Sequence, residues 1–565
     1  ACVVLKRLDD ALKAGDRVYA VIKGMGSAGG AGLDEAAPSS PAVVEALRRA
    51  YAEAHVDPST VALLECHGSG DPKEDRSEAS ALVEVFGQAE AELPLALSSA
   101  KTVIGHAGAA AGLAGLVKAS LAVYQELLPP GPELAAPVAP LAKAANRFHS
   151  PRKPQYWLRN RAEGPRRAGV TSLGLDGGVV HAVLEQLERT SPDARVDDER
   201  RQPLGARREA LFAVEAGDAA SLSEGLGELA AWVSAQDPAD GIEAVARRWW
   251  MKTGRRHDAA LACALVARDW RELLALARQA QDSIRENPER PIAGDRIHMT
   301  TRQALQGETA FVFPGSGNHY VGMTTAFGVH WPELLRRHDD ENGRLRDQLV
   351  PARVAPWSLT WPEGWEARAE RDLNNDYHAL IFASVAHGAA TSDLLRSFGV
   401  EPSALIGYSL GETASLFATR AWIARDEMLR RMKGSSLFVS DLAGPCEAAR
   451  QFWHLPADEK MDWVLGVIDR PADAVHKAAK GAERAALLIV NTPFECVIGG
   501  YRQAVEKLVE GLGCMYLPLQ GVSTVHFPGA KLVEKQYRDL HLFPTNPPAG
   551  LRYYSGALGK SYIPT

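Results

Sequence analysis

Along this chain, short apolar runs end in glycine turns and alternate with segments whose apolar positions recur every three or four residues, a pattern of strands followed by helices. The opening ACVVLKRLDDALKAGDRVYAVIKG predicts a strand, a short helix and another strand, as expected of the middle of a domain. VALLECHGSG, LPLALSSAKTVIGH and RRAGVTSLGLDGGVVHAVLEQ read as further strands, each followed by glycine. From about residue 187 the polar, proline-punctuated LERTSPDARVDDERRQPLGARREA predicts a surface connector. Beyond it, EAVARRWWMKTGRRHDAALACALVARDWRELLALARQAQDSI has helical spacing with arginines between, which predicts amphipathic helices packed on a neighbour. A buried-type strand returns in ETAFVFPGSGNHYVGM, and SALIGYSLGETASLF joins an apolar run to a helix-compatible segment through a glycine-bracketed serine. No fixed-period repeat runs through the chain.

Composition narrows the classes. At 565 residues the chain exceeds one ordinary core, which predicts several domains. A hydrophobic content of 46%, a charged content of 24% and a net charge of −7 describe a soluble globular protein without the basic footprint of a nucleic-acid or anionic-membrane binder. The most apolar stretch, GHAGAAAGLAGLVKASLAVY, is broken by glycines and Lys118, so no membrane span is expected. Cys2, Cys66, Cys263, Cys446, Cys496 and Cys514 show neither C-x-x-C nor zinc-ligand spacing, so a reducing cytoplasm and no metal are expected.

The pentad Gly407-Tyr408-Ser409-Leu410-Gly411 suits a strand-to-helix elbow that presents Ser409 as a nucleophile at a helix N-terminus. Such a serine needs a base, and His526 in GVSTVHFPGA, 117 positions further on, is the best candidate. His319, His330, His378 and His387 precede the elbow, and His541 lies in a polar stretch. The backbone N–H groups of Leu410 and Ser316 are candidates for an oxyanion hole.

In order and spacing, FVFPGSGNHYVGM, GYSLGE, VNTPFECVIGG and STVHF resemble the acyltransferase domain of type I polyketide and fatty acid synthases. The resemblance implies an α/β-hydrolase-like core with a ferredoxin-like subdomain over 435–522, and ping-pong transfer through acyl-Ser409 with His526 as base and then acid. It places Tyr408 and Asn491 among substrate-binding positions. There are departures. Ser316 stands where the family has glutamine and Tyr408 where it has histidine. The arginine that pairs with a malonyl carboxylate falls in register on Gly434, beside Lys433, with Arg430 and Arg431 reachable by a slip of one turn. Ser523-Thr524-Val525-His526 matches neither common specificity motif, and the carbonyl that orients the histidine is expected beyond residue 565, as in a domain truncated at its C-terminal end.

The first part resembles the C-terminal half of a β-ketoacyl synthase, HGSGD and KTVIGHAGAAAG matching its two histidine blocks. The resemblance assigns decarboxylation and oxyanion roles to His67 and His106 and an organising role to Lys101. No cysteine occupies the context of the condensing nucleophile, and LDGGV departs from the closing block, so a non-condensing, chain-length-factor-like unit stays open. With that half absent, VALLECHGSG is expected to lack sheet neighbours.

The expected organisation is a partial thiolase-like layered α/β domain over 1–186, an α+β linker over 187–307 with RRWWMKTGRRH as its helix, and an acyltransferase over 308–565. The subtype leans toward synthases of polyunsaturated fatty acids, glycolipid chains and enediynes. The implied function is movement of an acyl group, malonyl in most of the family, from CoA to the phosphopantetheine of an acyl carrier protein acting in trans, with no bound cofactor. The partners are acyl-CoA, the carrier protein, other synthase domains and a second copy of the synthase part. A serine hydrolase or thioesterase, and a non-catalytic scaffold, are the alternatives.

Overall fold

The computed structural model describes all residues except 1, 30–38, 88–93, 132–135, 189–198, 201, 203, 205–206, 238, 255–258, 289–291, 301–306, 324, 457 and 521–522. In the first part, six strands form one mixed sheet in the order Val21–Ala28, Val179–Glu185, Arg167–Leu173, Leu63–Glu65, Leu95–Ser98 and Phe148–His149. The first three are antiparallel neighbours and the rest pair in parallel. Strand Leu63–Glu65 is buried on both faces because helices cover both. Leu64 packs in the layer of helices Ser40–Ala54 and Pro72–Phe86, whereas Leu63 packs in that of helix Ala111–Gln125. Asp71 caps the helix that follows HGSG by accepting from the N–H groups of Lys73 and Glu74.

Two expectations for this part are corrected. VALLECHGSG has sheet neighbours on both sides, since Leu63–Glu65 pairs with Leu95–Ser98 and with Arg167–Leu173, two segments within the same half. Residues 2–7 form no strand; with no sheet edge to cover them, Val4 and Leu5 are exposed.

Residues 205–308 form a separate compact unit. Its sheet follows the order Ile292–Ala293, Ile297–Met299, Leu261–Ala267 and Ala210–Ala216, and helices Ala219–Ser234, Ile242–Thr253 and Trp270–Glu286 share its core. The helical reading of ALACALVA is thereby corrected. Its apolar residues alternate, Leu261, Cys263, Leu265 and Ala267 being buried, and this period of two makes a strand. Helix Ile242–Thr253 contains RRWWMKT, with Trp249 buried and its Nε1–H donating to the Ala213 carbonyl at 2.9 Å; Arg255–His257 lie outside the described residues.

The third part has a core sheet in which Ala310–Phe313, Ala404–Gly407 and Arg552–Ser555 run parallel and Lys560–Tyr562 closes the edge antiparallel. A smaller β-α-β-β-α-β unit runs from Trp463 to Pro518, its strands ordered Tyr516–Pro518, Trp463–Ile468, Glu495–Tyr501, Ala485–Thr492, all antiparallel. That is the ferredoxin-like topology.

One buried carboxylate ties the first and third parts together. Glu126, in a left-handed conformation just after helix Ala111–Gln125, accepts from Tyr156 Oη at 2.9 Å, Gln186 Nε2 at 2.8 Å, Arg200, and Arg336 Nε at 2.9 Å, with Arg166 3.5 Å away. Arg336 comes from helix Pro332–Glu341 of the third part and also donates to the Gln125 carbonyl at 2.9 Å. Burial alone would raise the Glu126 pKa, but the three arginines hold it well below the usual carboxylate range. A depressed folded-state pKa means that this stabilisation is in force above the ordinary glutamate pKa and is lost as pH falls through the depressed value. Glu126→Ala removes the nearer carboxylate from the fully buried Arg166 guanidinium, leaving it only Asp339 at 3.9 Å as an ionic partner. It is expected to cost about 3–5 kcal/mol, read as a lower urea midpoint, whereas Lys535→Ala at an exposed helix pair should shift it hardly at all. Equal midpoints for the two variants would refute the bridging role.

Candidate active site

Strand Ala404–Gly407 stops at Gly407 and helix Leu410–Ala418 begins one residue after Ser409. Between them Ser409 takes φ 54° and ψ −114°, a strained conformation for a residue with a side chain. Packing enforces it. A Cβ on Gly407 would lie 2.1 Å from the Glu412 nitrogen, and one on Gly411 would lie 2.1 Å from the Phe313 carbonyl oxygen. The same Phe313 carbonyl accepts from the Tyr408 N–H at 2.9 Å, and Glu412 N–H closes back on the Ser409 carbonyl at 3.0 Å. The pentad thus reads as glycine, strained serine, glycine because nothing larger fits on either side.

His526 Nε2 lies 2.8 Å from Ser409 Oγ. Its segment is pinned on both sides. Thr524 donates its N–H, at 2.8 Å, and its hydroxyl, at 3.0 Å, to the Leu442 carbonyl. Phe527 packs against Phe452, Trp453 and Trp463. Burial lowers the His526 pKa although the residue keeps some solvent exposure, so near neutral pH the imidazole is uncharged and Nε2 can take the serine proton. Leu410 opens a helix, where N–H groups lack intrahelical acceptors. Ser316, in the turn after strand Ala310–Phe313, lines the same pocket as Ser409, Leu410 and His526. Tyr408 Oη donates to Asn491 Oδ1 at 2.8 Å, joining the elbow to the small subdomain, and Asn491 in turn donates to Glu495 at 2.9 Å.

Most of the pocket wall escaped sequence reading. Tyr377, Leu380 and Ile381 come from helix Tyr377–Ser397, Met428 and Met432 from helix Arg425–Lys433, and Leu465, Leu488, Ile489 and Val497 from the subdomain sheet. The pocket encloses about 930 Å³, its open mouth included. Of the other histidines, His541 lines the pocket, with Nδ1 2.8 Å from the Tyr537 carbonyl, and His319 pairs with Asn374 at 2.7 Å. His387 packs against Phe327 and Tyr320.

A second cluster lies in the first part. His67 and His106 meet edge to face at 5.7 Å, and Lys101 Nζ is 3.3 Å from His67 Nδ1. The Leu173 N–H also points at Nδ1, at 3.2 Å, so this nitrogen is the acceptor and Nε2 carries the proton. Burial first, then Lys101 and His106, depress the His67 pKa to about 4. Glu78, which sequence reading missed, accepts the N–H groups of His67 and Gly68, and burial lifts its pKa to about 7. Cys66 packs toward the apolar layer of helices Ser40–Ala54 and Pro72–Phe86, where burial drives its thiol pKa well up, and Cys2 is exposed. Neither is a thiolate facing the histidine pair.

The chain resembles known proteins along most of its length. Residues 19–135 match the β-ketoacyl synthase C-terminal domain family. The chain is 31% identical over 515 residues to a mycocerosic acid synthase-like polyketide synthase of Mycobacterium tuberculosis, covering 90% of this chain and 22% of the relative. It is 29% identical over 513 residues to a phthioceranic/hydroxyphthioceranic acid synthase of Mycobacterium bovis, again covering 90% of this chain and 22% of the relative. It therefore spans about a fifth of the length of these relatives. Among solved structures, the acyltransferase domain of ZmaA aligns at a TM-score of 0.48 and 16% identity, covering 64% of this chain and 75% of that domain. An oxazolomycin ketosynthase domain from Streptomyces albus aligns at 0.30 and 24%, covering 58% and 51%. Over nine tenths of its length the chain is thus similar to a segment of type I polyketide synthases, and residues 19–135 within it match the C-terminal domain of β-ketoacyl synthases.

Proposed function

We propose that Ser409 and His526 carry out ping-pong acyl transfer from a CoA thioester to the phosphopantetheine thiol of an acyl carrier protein. The observation that carries this reading is the 2.8 Å contact between His526 Nε2 and the hydroxyl of a serine held in a strained elbow. The serine oxygen bonds to the thioester carbonyl carbon as its proton passes to Nε2, and the oxyanion forms against the Leu410 and Ser316 N–H groups. Collapse breaks the carbon–sulfur bond, and the imidazolium returns its proton to the departing CoA thiolate. The carrier thiol then attacks acyl-Ser409 in the reverse sense, His526 first taking the thiol proton and then giving it to the serine oxygen.

In the first part, neutral His67, with its proton on Nε2, and His106 are placed to donate to a developing enolate oxygen, with Lys101 fixing the His67 ring. Without a facing thiolate this cluster does not hold a growing chain, so we assign it no carbon–carbon bond formation.

Ser409→Ala should abolish acyl-enzyme formation, followed by intact-protein mass spectrometry, and leave circular dichroism unchanged. His526→Ala should slow acylation by about 10²–10⁴-fold. Loss of less than tenfold would assign the base elsewhere, and rapid release of free acid without carrier protein would make the region a hydrolase. Acylation requires the neutral imidazole, and burial lowers the His526 pKa, so the rate should hold steady as pH falls through the ordinary histidine range and drop only below it. A midpoint at or above the ordinary value would contradict this environment. Supplied with acyl and malonyl carrier proteins, the chain should give no β-ketoacyl product; such a product, lost on Cys66→Ala or Cys2→Ala, would overturn the non-condensing assignment.

A further inference from the structure

The acyl pocket beside Ser409 lacks a partner for a carboxylate. Its described lining is apolar or neutral: Leu380, Ile381, Met428, Met432, Leu488 and Val497 give its character, and no lysine or arginine is among the lining residues. The three cations nearest the family's carboxylate-binding register are committed elsewhere. Arg430 is exposed and pairs with Glu427 at 2.7 Å. Arg431 pairs with Glu427 at 2.9 Å, donates to the carbonyls of Asp539 and Leu542, and lies over the Phe543 ring. Lys433 pairs with Asp347 at 2.9 Å, and Gly434 is the helix cap. Behind the wall, Arg425 lines a separate void that shares Ile381 and Met428 with the pocket, and it donates to His338 Nδ1 at 3.2 Å with Glu341 3.7 Å away.

Two carboxylates act on tyrosines of the pocket wall, the wrong sign for an anionic acyl group. The Glu495 carboxylate opposes ionisation of Tyr408, second to burial, and Glu412 does the same for Tyr537. Burial keeps His526 and His541 neutral, so neither ring supplies the missing cation. A carboxylate placed here gives up its hydration without gaining an ion pair, an arrangement that buried sites avoid. Two methionines on one wall instead offer an adaptable surface to an aliphatic chain.

We infer that this site selects an uncharged aliphatic acyl thioester rather than malonyl- or methylmalonyl-CoA. The inference rests on the acyl-transfer reading of Ser409 and narrows it to a substrate class. Because the walls converge from the core helices and the subdomain sheet, the tail runs between the two.

The full chain is incubated briefly with equimolar malonyl-, methylmalonyl-, butyryl- and octanoyl-CoA, and the acyl adducts on Ser409 are resolved by intact-protein and peptide mass spectrometry. The expected result is an excess of the uncharged adducts over malonyl of at least tenfold, with none in Ser409→Ala. Parallel reactions with each thioester alone guard against selective hydrolysis of one adduct. A malonyl or methylmalonyl adduct as the leading species would overturn the inference while leaving acyl transfer standing, and would direct attention to Arg425. No adduct from any thioester, with the protein folded by circular dichroism, would overturn the acyl-transfer reading and this inference with it. Val497→Trp, which fills the subdomain wall, should shift the preference from octanoyl to butyryl. An unchanged ratio would overturn the placement of the tail.

Discussion

The third part of the molecule depends on one close approach, that of Gly411 to the Phe313 carbonyl, where a Cβ would come within 2.1 Å. This carbonyl ends the neighbouring parallel strand and also receives the Tyr408 N–H. The start of the helix is therefore pressed against the sheet before any side chain is placed. Ser409 is forced into its strained conformation as a consequence, and its hydroxyl meets His526, which hangs on Thr524 and Phe527. Strain of this kind costs on the order of 1–3 kcal/mol and persists only where packing over-determines it. Here two glycines, a shared carbonyl and the helix Leu410–Ala418 packed on helix Tyr377–Ser397 supply that determination.

Burial sets the chemistry at both histidine sites in the same direction. His526 is depressed by desolvation alone, and His67 by desolvation together with the positive charge of Lys101. Both rings are therefore neutral, but they serve differently. The nitrogen of His526 that matters accepts, because it faces a hydroxyl. The acceptor nitrogen of His67 is already taken by the Leu173 N–H and Lys101, which leaves its other nitrogen as a donor. Glu78 shows the same dielectric acting on a carboxyl, with burial pushing its pKa up to about 7 against the pull of two N–H donors. One physical cause thus yields a base in one part and a hydrogen-bond donor in the other.

What the sequence disclosed followed from how local each feature is. The elbow was legible because Gly407, Ser409 and Gly411 meet within five residues, whereas the ferredoxin-like subdomain was expected only through the family resemblance, although LLIVNTPFECVIGG carries two of its strands and their turn. Strand Leu261–Ala267 was misread because alternating alanines blur a period of two into an apparent helical face. The Glu126 cluster was invisible, since its carboxylate and Arg336 stand 210 positions apart and no local pattern marks either residue. Glu78 escaped for a related reason. It sits on a helix that reads as amphipathic, and only the fold brings its carboxylate under the backbone of His67.

Substrate charge is the property a motif reports least well, because a motif records which side chains are present and the pocket depends on where they point. Arg430, Arg431 and Lys433 lie within one helical turn of the register where a carboxylate partner is expected, so composition alone favours an anionic substrate. Each has a nearer acceptor. Glu427 lies three and four residues before the two arginines, the spacing at which helix side chains meet, and Asp347 reaches Lys433 from another helix. Helix Arg425–Lys433 therefore holds Arg430, Arg431 and Lys433 on acceptors away from the acyl pocket, keeps Arg425 buried against His338, and presents Met428 and Met432 to the pocket, so a helix that reads as cationic in sequence contributes an apolar wall in the fold.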